Sequence, residues 1–194
     1  MKTTKISSLF SMLFIVCSMQ LNGQYPNLNV EPYLMQSVPK NLLLFLNDNV
    51  RYAKAISSKY NVPTDFLLCV AGLETGWGSS ELSVEANNFF GIKNLLNDGP
   101  SYCVWHSDYV EGKGMVEAYD CFKKYSSPLM SFLDYMEHLY SKACYVEMQQ
   151  IYAPSFDDWT AIVSKCGYAT DPAYGNKLKE IKRKYYFSIL LDFL

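Results

Sequence analysis

The sequence predicts an α+β fold, mostly helical, in which one β-hairpin separates two runs of helices. Three observations lead there. Apolar residues recur at three- and four-residue spacings between Leu42 and Ile56, and again after Pro128. Between these runs, "CVWHSDYVEGKGMVEAYDC" alternates apolar and polar positions on both sides of "EGKG", as hairpin strands do. Helical and strand patterns are thus segregated along the chain, which argues against an alternating α/β architecture.

The chain begins "MKTTK", continues with the apolar run "ISSLFSMLFIVCSM" and reaches "QLNGQYP". That order is the layout of a secretory signal peptide, expected over residues 1–23. The run is shorter than a bilayer-spanning helix requires, so cleavage near Gly23 and no membrane association after it are expected, with a retained anchor and, through Cys17, a lipoprotein as the alternatives. Residues 24–39 carry three prolines and little periodicity and are expected to form an extended leader. Residues 40–194 then form a single domain.

From Lys40, Leu42, Phe45, Leu46, Val50, Ala53 and Ile56 define one buried helical face, which Asn61 and Pro63 terminate. A second helix starts near Pro63 to Asp65 and runs through "DFLLCVAGLE" to a "TGWG" break. A loop, "SSELSVEANN", leads into "FFGIK" at the edge of a small β region, and the hairpin turns near Gly112. Beyond it, Ser126 or Ser127 caps an amphipathic helix with Met130, Leu133, Met136 and Leu139 or Tyr140 on one face. Two or three more helices finish the chain, with "SFDDWTAIVSKCG" ending at Gly167 and a long one after "TDPAYGNKL".

Five cysteines follow the signal segment, where an oxidising compartment permits disulfides. Cys103 and Cys121 are equidistant from the hairpin tip, and opposed strand residues bring Cβ atoms to roughly 4.5 to 5.5 Å, so this pair is the preferred bridge. Cys144 with Cys166 is the second pairing. Cys69 reads as a small buried hydrophobe.

Charge narrows function. The chain has 17 Lys+Arg against 19 Asp+Glu, a net charge of −2, and losing Lys2 and Lys5 with the signal segment makes it −4. This argues against nucleic-acid binding. The two histidines, His106 and His138, form no zinc motif, and Cys69 lacks the setting of a thiolate nucleophile, so neither metal nor other cofactor is expected.

Glu74 is the candidate catalytic group. It leaves the second helix beside the stripe of Phe66, Val70, Leu73 and Trp77, where desolvation raises a carboxyl pKa and favours proton donation. An ordinary helix-end glutamate is the competing explanation. Glycosidic cleavage calls for a second carboxylate, and the hairpin offers Asp108, Glu111 and Glu117.

"AGLETGWG", "NNFFGIK", "FKKYSSP" and "GYATDPAYGNKL", in this order and with these gaps, resemble the bacterial glucosaminidases of glycoside hydrolase family 73, which include the flagellar peptidoglycan hydrolase domain. The resemblance implies a lysozyme-like fold, with a helical lobe and a hairpin lobe enclosing a glycan cleft. It also implies cleavage of the β-1,4 bond after N-acetylglucosamine in peptidoglycan, in a secreted or periplasmic protein of the bacterial envelope.

Carried onto this chain, the family's proton donor falls on Glu74, with Thr75 in place of the usual serine. The second acid falls on Asp108 in "SDYVEG", a departure from the usual glutamate, with Glu111 as the fallback. Tyr168 matches a tyrosine lining the family's active site. Trp77, Asn88, Phe90 and Lys93 are candidate substrate contacts, against packing for Trp77 and turn formation for the asparagine. The partner implied is a peptidoglycan glycan strand, bound by a monomer. A non-catalytic glycan-binding module of the same fold is the alternative that the Asp108 departure leaves open.

Overall fold

The computed structural model describes residues 38–194 except 111, 113, 170 and 193. The expected signal peptide and nearly all of the leader lie outside the described residues, as does Glu111. No helix among the described residues is long and apolar enough to cross a membrane.

Helix α1 (Lys40–Tyr60) buries Leu42, Phe45, Leu46, Val50, Ala53 and Ile56, as the spacing predicts. It ends where Asn61 adopts a left-handed conformation and returns its N–H to Ser57. Helix α2 (Thr64–Thr75) is apolar nearly all round: every residue from Phe66 to Gly72 is buried, which places it at the centre of the core. It packs against α1 and against the C-terminal helices, and Lys182 fixes its start through a 2.7 Å ion pair with the largely buried Asp65.

The expected loop "SSELSVEANN" contains a short helix, α3 (Glu81–Ala86). Ser80 caps it by accepting the Ser83 N–H, and left-handed Asn87 closes it. Six residues are too few for periodicity to register, so only the cap could have disclosed it.

Strands β1 (Ser101–Val110) and β2 (Gly114–Lys123) pair antiparallel, with Cys103 opposite Cys121 and Asp108 opposite Val116. The "FFGIK" segment docks on this ribbon through a bridge between Lys93 and Phe122. Both expected disulfides, Cys103–Cys121 and Cys144–Cys166, are present, and Cys69 is free and buried.

Helix α4 (Pro128–Tyr140) follows Ser127, whose side chain makes no cap hydrogen bond, and its buried face is rotated from the expected stripe. It buries Ser131, Phe132, Tyr135, Met136 and Leu139, while Met130 is exposed. The cause is the segment above it: Phe90 stacks on Tyr135 at 4.1 Å, and Ser131 accepts the Phe89 N–H at 2.9 Å. A 3₁₀ turn (Ala143–Gln149) and α5 (Phe156–Lys165), started by a Ser155–Asp158 capping box, follow.

The expected long C-terminal helix is two. Helix α6 (Tyr174–Lys184) already begins inside "DPAYGNKL", and α7 (Phe187–Asp192) follows a left-handed Tyr186. The break lets Phe187 and Leu190 enter the core. Close approach of α6 to α5 requires Gly175, since a Cβ there would sit 2.4 Å from Ser164 Oγ and 2.9 Å from the Thr160 carbonyl.

Candidate active site

A cleft of ≈ 610 Å³ runs between the helices and the hairpin. Glu74 lies in it at the last turn of α2, with Tyr168, Tyr174, Phe90 and Lys93 around it and His106 and Phe122 on the hairpin wall.

The α2 terminus is built to present this acid. Thr75 Oγ1 donates to the Ala71 carbonyl at 2.6 Å and accepts the Gly78 N–H at 2.8 Å, so the residue that replaces serine still organises the break. Gly76 is left-handed at φ 56°, and the chain folds back so that the Trp77 ring covers Gly72, where a Cβ would lie 2.1 Å from the ring. Glycine at 72 is therefore a requirement of this return.

Glu74 is open to the cleft, yet protein replaces much of the water around its carboxyl. Desolvation raises its pKa above the ordinary glutamate value, and a hydrogen bond from Tyr174 partly opposes that rise. The Tyr174 hydroxyl donates to Glu74 Oε1 at 2.7 Å across 100 residues of sequence. Burial keeps the Tyr174 hydroxyl protonated, so it serves as a fixed donor.

Tyr168 borders the same cleft, and its hydroxyl donates to the Phe90 carbonyl at 3.1 Å. Its ring sits 5.6 Å from that of Tyr174, which makes it the joint between the "GYATDP" and "FFGIK" segments. Tyr174, unselected in the sequence, is the phenol that touches the acid.

Two expected substrate contacts are corrected by this geometry. Trp77 is not on the cleft; its ring packs against Phe45, Tyr185 and Phe187 at 5.7, 5.8 and 6.1 Å. Asn88 is 1% exposed and works inside the protein: Nδ2 donates to the Ile92 and Lys123 carbonyls, and Oδ1 accepts the Ile92 N–H. It ties "FFGIK" to the base of the hairpin. Phe90 borders the cleft from a buried position against Tyr135.

Lys93 does face the cleft. Its Nζ is 2.7 Å from Asp120 Oδ2, which His106 Nε2 also meets at 2.8 Å. The Lys93 hydrogen bond, with that of His106, holds the Asp120 carboxyl below the usual aspartate range. Asp108 stands on β1 two residues beyond His106 toward the tip. Lys142, Lys177 and His138, none of them picked from sequence as substrate contacts, complete the basic side chains on the cleft. No group of three His, Cys, Asp or Glu side chains among the described residues is placed to hold a metal.

Size does not identify the site. A larger concavity of ≈ 750 Å³ borders α1 beside Asp48, Arg51 and Trp77, but it lacks the acid with its phenol donor.

Residues 50–187 match the glucosaminidase family, described as mannosyl-glycoprotein endo-beta-N-acetylglucosaminidase. The exo-glucosaminidase LytG of Bacillus subtilis (strain 168) is 29% identical over 147 residues, covering 73% of this chain and 51% of the relative. The peptidoglycan hydrolase FlgJ of Pseudomonas aeruginosa is 31% identical over 145 residues, covering 72% and 36%. The chain thus spans about half or less of these two relatives' length.

Among solved structures, the catalytic domain of the Listeria monocytogenes autolysin Auto superposes with a TM-score of 0.66 at 25% identity, covering 97% of this chain and 100% of that one. The truncated glycoside hydrolase domain of Salmonella typhimurium FlgJ gives 0.59 at 27% identity, covering 74% and 96%. With its helical lobe, its hairpin and an acid at the helix break between them, the chain belongs to the glucosaminidase family of glycoside hydrolases and has its lysozyme-like fold.

Proposed function

We propose that this protein cuts the β-1,4 bond between N-acetylglucosamine and N-acetylmuramic acid in peptidoglycan, as an endo-β-N-acetylglucosaminidase with Glu74 as the proton donor. The observation that carries this reading is the desolvated Glu74 carboxyl, open to the cleft and hydrogen-bonded by Tyr174.

A carboxyl whose pKa is raised keeps its proton nearer neutral pH, which suits general acid catalysis. Glu74 gives that proton to the glycosidic oxygen as the bond to the anomeric carbon breaks. Asp108, carried by the opposite wall, activates the incoming water or stabilises the positive charge at the anomeric carbon, with Glu111 as the alternative. The substrate's own acetamido group is the competing nucleophile in the second route. Tyr174 holds the Glu74 carboxyl in one orientation, and Tyr168 holds the cleft wall beside it.

The protein acts outside the cytoplasm as a monomer. The apolar N-terminal run and the two disulfides support this location.

Digestion of purified peptidoglycan, followed by borohydride reduction and mass spectrometry, tests the reading. It predicts new reducing-end N-acetylglucosamine from the wild type and none from Glu74→Gln. New reducing-end N-acetylmuramic acid would make the protein a muramidase, and a folded wild type that releases no fragments would make it a binding module. Fragment length separates internal cutting from the chain-end cutting named for LytG.

A further inference from the structure

Three lysines border the cleft, and two of them have an acid within ion-pair distance. Lys93 lies 2.7 Å from Asp120, and Lys177 lies 2.5 Å from Asp171. Lys142, in the turn after α4, borders the same cleft and makes no ion pair among the described residues. One turn back, His138 also borders it. Burial, together with the Lys142 charge, holds the His138 pKa below the ordinary histidine value, so a neutral imidazole sits near an ammonium that has no ion-pair partner among the described residues.

The C-terminal end of α4 accounts for a cation at this place in general terms. It does not account for the cation facing the cleft. Elsewhere on these walls each lysine charge is answered by a carboxylate of the protein itself, in a chain whose net charge is −2. An ammonium and a neutral ring nitrogen together make a donor pair matched to a carboxylate.

We infer that Lys142, with His138 beside it, is a subsite for a carboxylate carried by the glycan strand. The inference rests on the peptidoglycan reading above, and there are two sources of that carboxylate. Muramyl units carry stem peptides with free carboxylates, and removing the stem exposes the lactyl carboxylate. A neutral glycan offers neither. The subsite therefore makes the cleft selective for the acidic, muramyl-containing strand over an uncharged polymer of N-acetylglucosamine.

The test is co-sedimentation with two insoluble substrates, native peptidoglycan and the same material with its carboxyl groups converted to methylamides, competed by the soluble glycan strands that an amidase frees of stem peptides. The wild type is expected to bind the native material about fivefold more tightly than the amidated one, the scale of a single partly exposed charge pair. Lys142→Gln should bind both alike, at the amidated level, and Lys142→Arg should restore the preference. A preference for native over amidated material assigns the stem carboxylates; competition by the stripped strands against the wild type but not against Lys142→Gln adds the exposed lactyl carboxylate as a second source, and its absence leaves the stem alone. A Lys142→Gln variant that discriminates as the wild type does, or a wild type that binds native and amidated material equally, overturns the subsite. Because binding is measured directly, these results are separate from absence of fragment release, which would overturn the glycosidase reading instead.

Discussion

The helical wall of the cleft rests on the core, whereas the hairpin wall is held largely without one. On the helical side, Phe66 through Gly72 are all buried beneath Glu74, and Tyr174, which orients the acid, is itself 5% exposed. On the hairpin side, Phe122 is the one buried residue of β2, while Trp105, Met115 and Tyr119 are 67%, 66% and 57% exposed. What holds the ribbon is the Cys103–Cys121 disulfide, the Lys93–Phe122 bridge and the Asn88 side chain at its base. The proposed acid sits on the wall that the core supports, and the second wall depends on a few local ties.

Substitutions should separate the walls, and the largest effect belongs to Glu74. Glu74→Gln should lower kcat by about 10³-fold, the middle of the range for a lost general acid, with substrate affinity nearly unchanged in a sedimentation assay. The same variant carries a stability signature. Folding raises the Glu74 pKa, so its contribution is complete below the unfolded glutamate value of about 4.3 and is lost as pH rises through the folded value. Glu74→Gln should therefore have a higher Tm than the wild type at pH 7, and this advantage should shrink at pH 4.

Next comes the staple. Replacing Cys103 and Cys121 with serine should cost about 3 kcal/mol by chain-entropy reasoning, and hydrogen exchange should localise the loss to β1 and β2 amides. Equal loosening of α2 would contradict the division between walls. Asp108→Asn follows, expected to lower kcat by about 10²-fold if Asp108 is the second acid, while a similar loss in Glu111→Gln alone would move that role to Glu111. The smallest effect is Tyr174→Phe. Losing a donor to the carboxylate raises the Glu74 pKa further, so the alkaline limb of the kcat/KM profile should move to higher pH.

Much of this arrangement was legible from local pattern. The α1 face, the α2 break, the hairpin register and the Cys103–Cys121 bridge followed from spacings within about twenty residues, and Cys144–Cys166 was the pairing then left. Features that depend on distant neighbours were not. The Tyr174–Glu74 bond joins residues 100 apart, and nothing local distinguished Tyr174 from Tyr168 in "GYATDPAYGNKL". Asn88 looked like a turn residue because its carbonyl partners at Ile92 and Lys123 belong to the packed loop and strand. Trp77 was a candidate substrate contact with packing as the alternative, and the left-handed Gly76 and Trp77 carry the ring back over Gly72. The rotated face of α4 likewise reflects Phe90 stacking on Tyr135, which no helical periodicity encodes.

The most direct test of the poised acid is a carbon-detected NMR titration of the Glu74 carboxyl in the unliganded protein, with Tyr174→Phe as its companion. The account predicts a midpoint above the ordinary glutamate value in the wild type and higher still without the phenol. A wild-type midpoint at or below the ordinary value would contradict it, because Glu74 would then have no proton to give at the pH where peptidoglycan is cut.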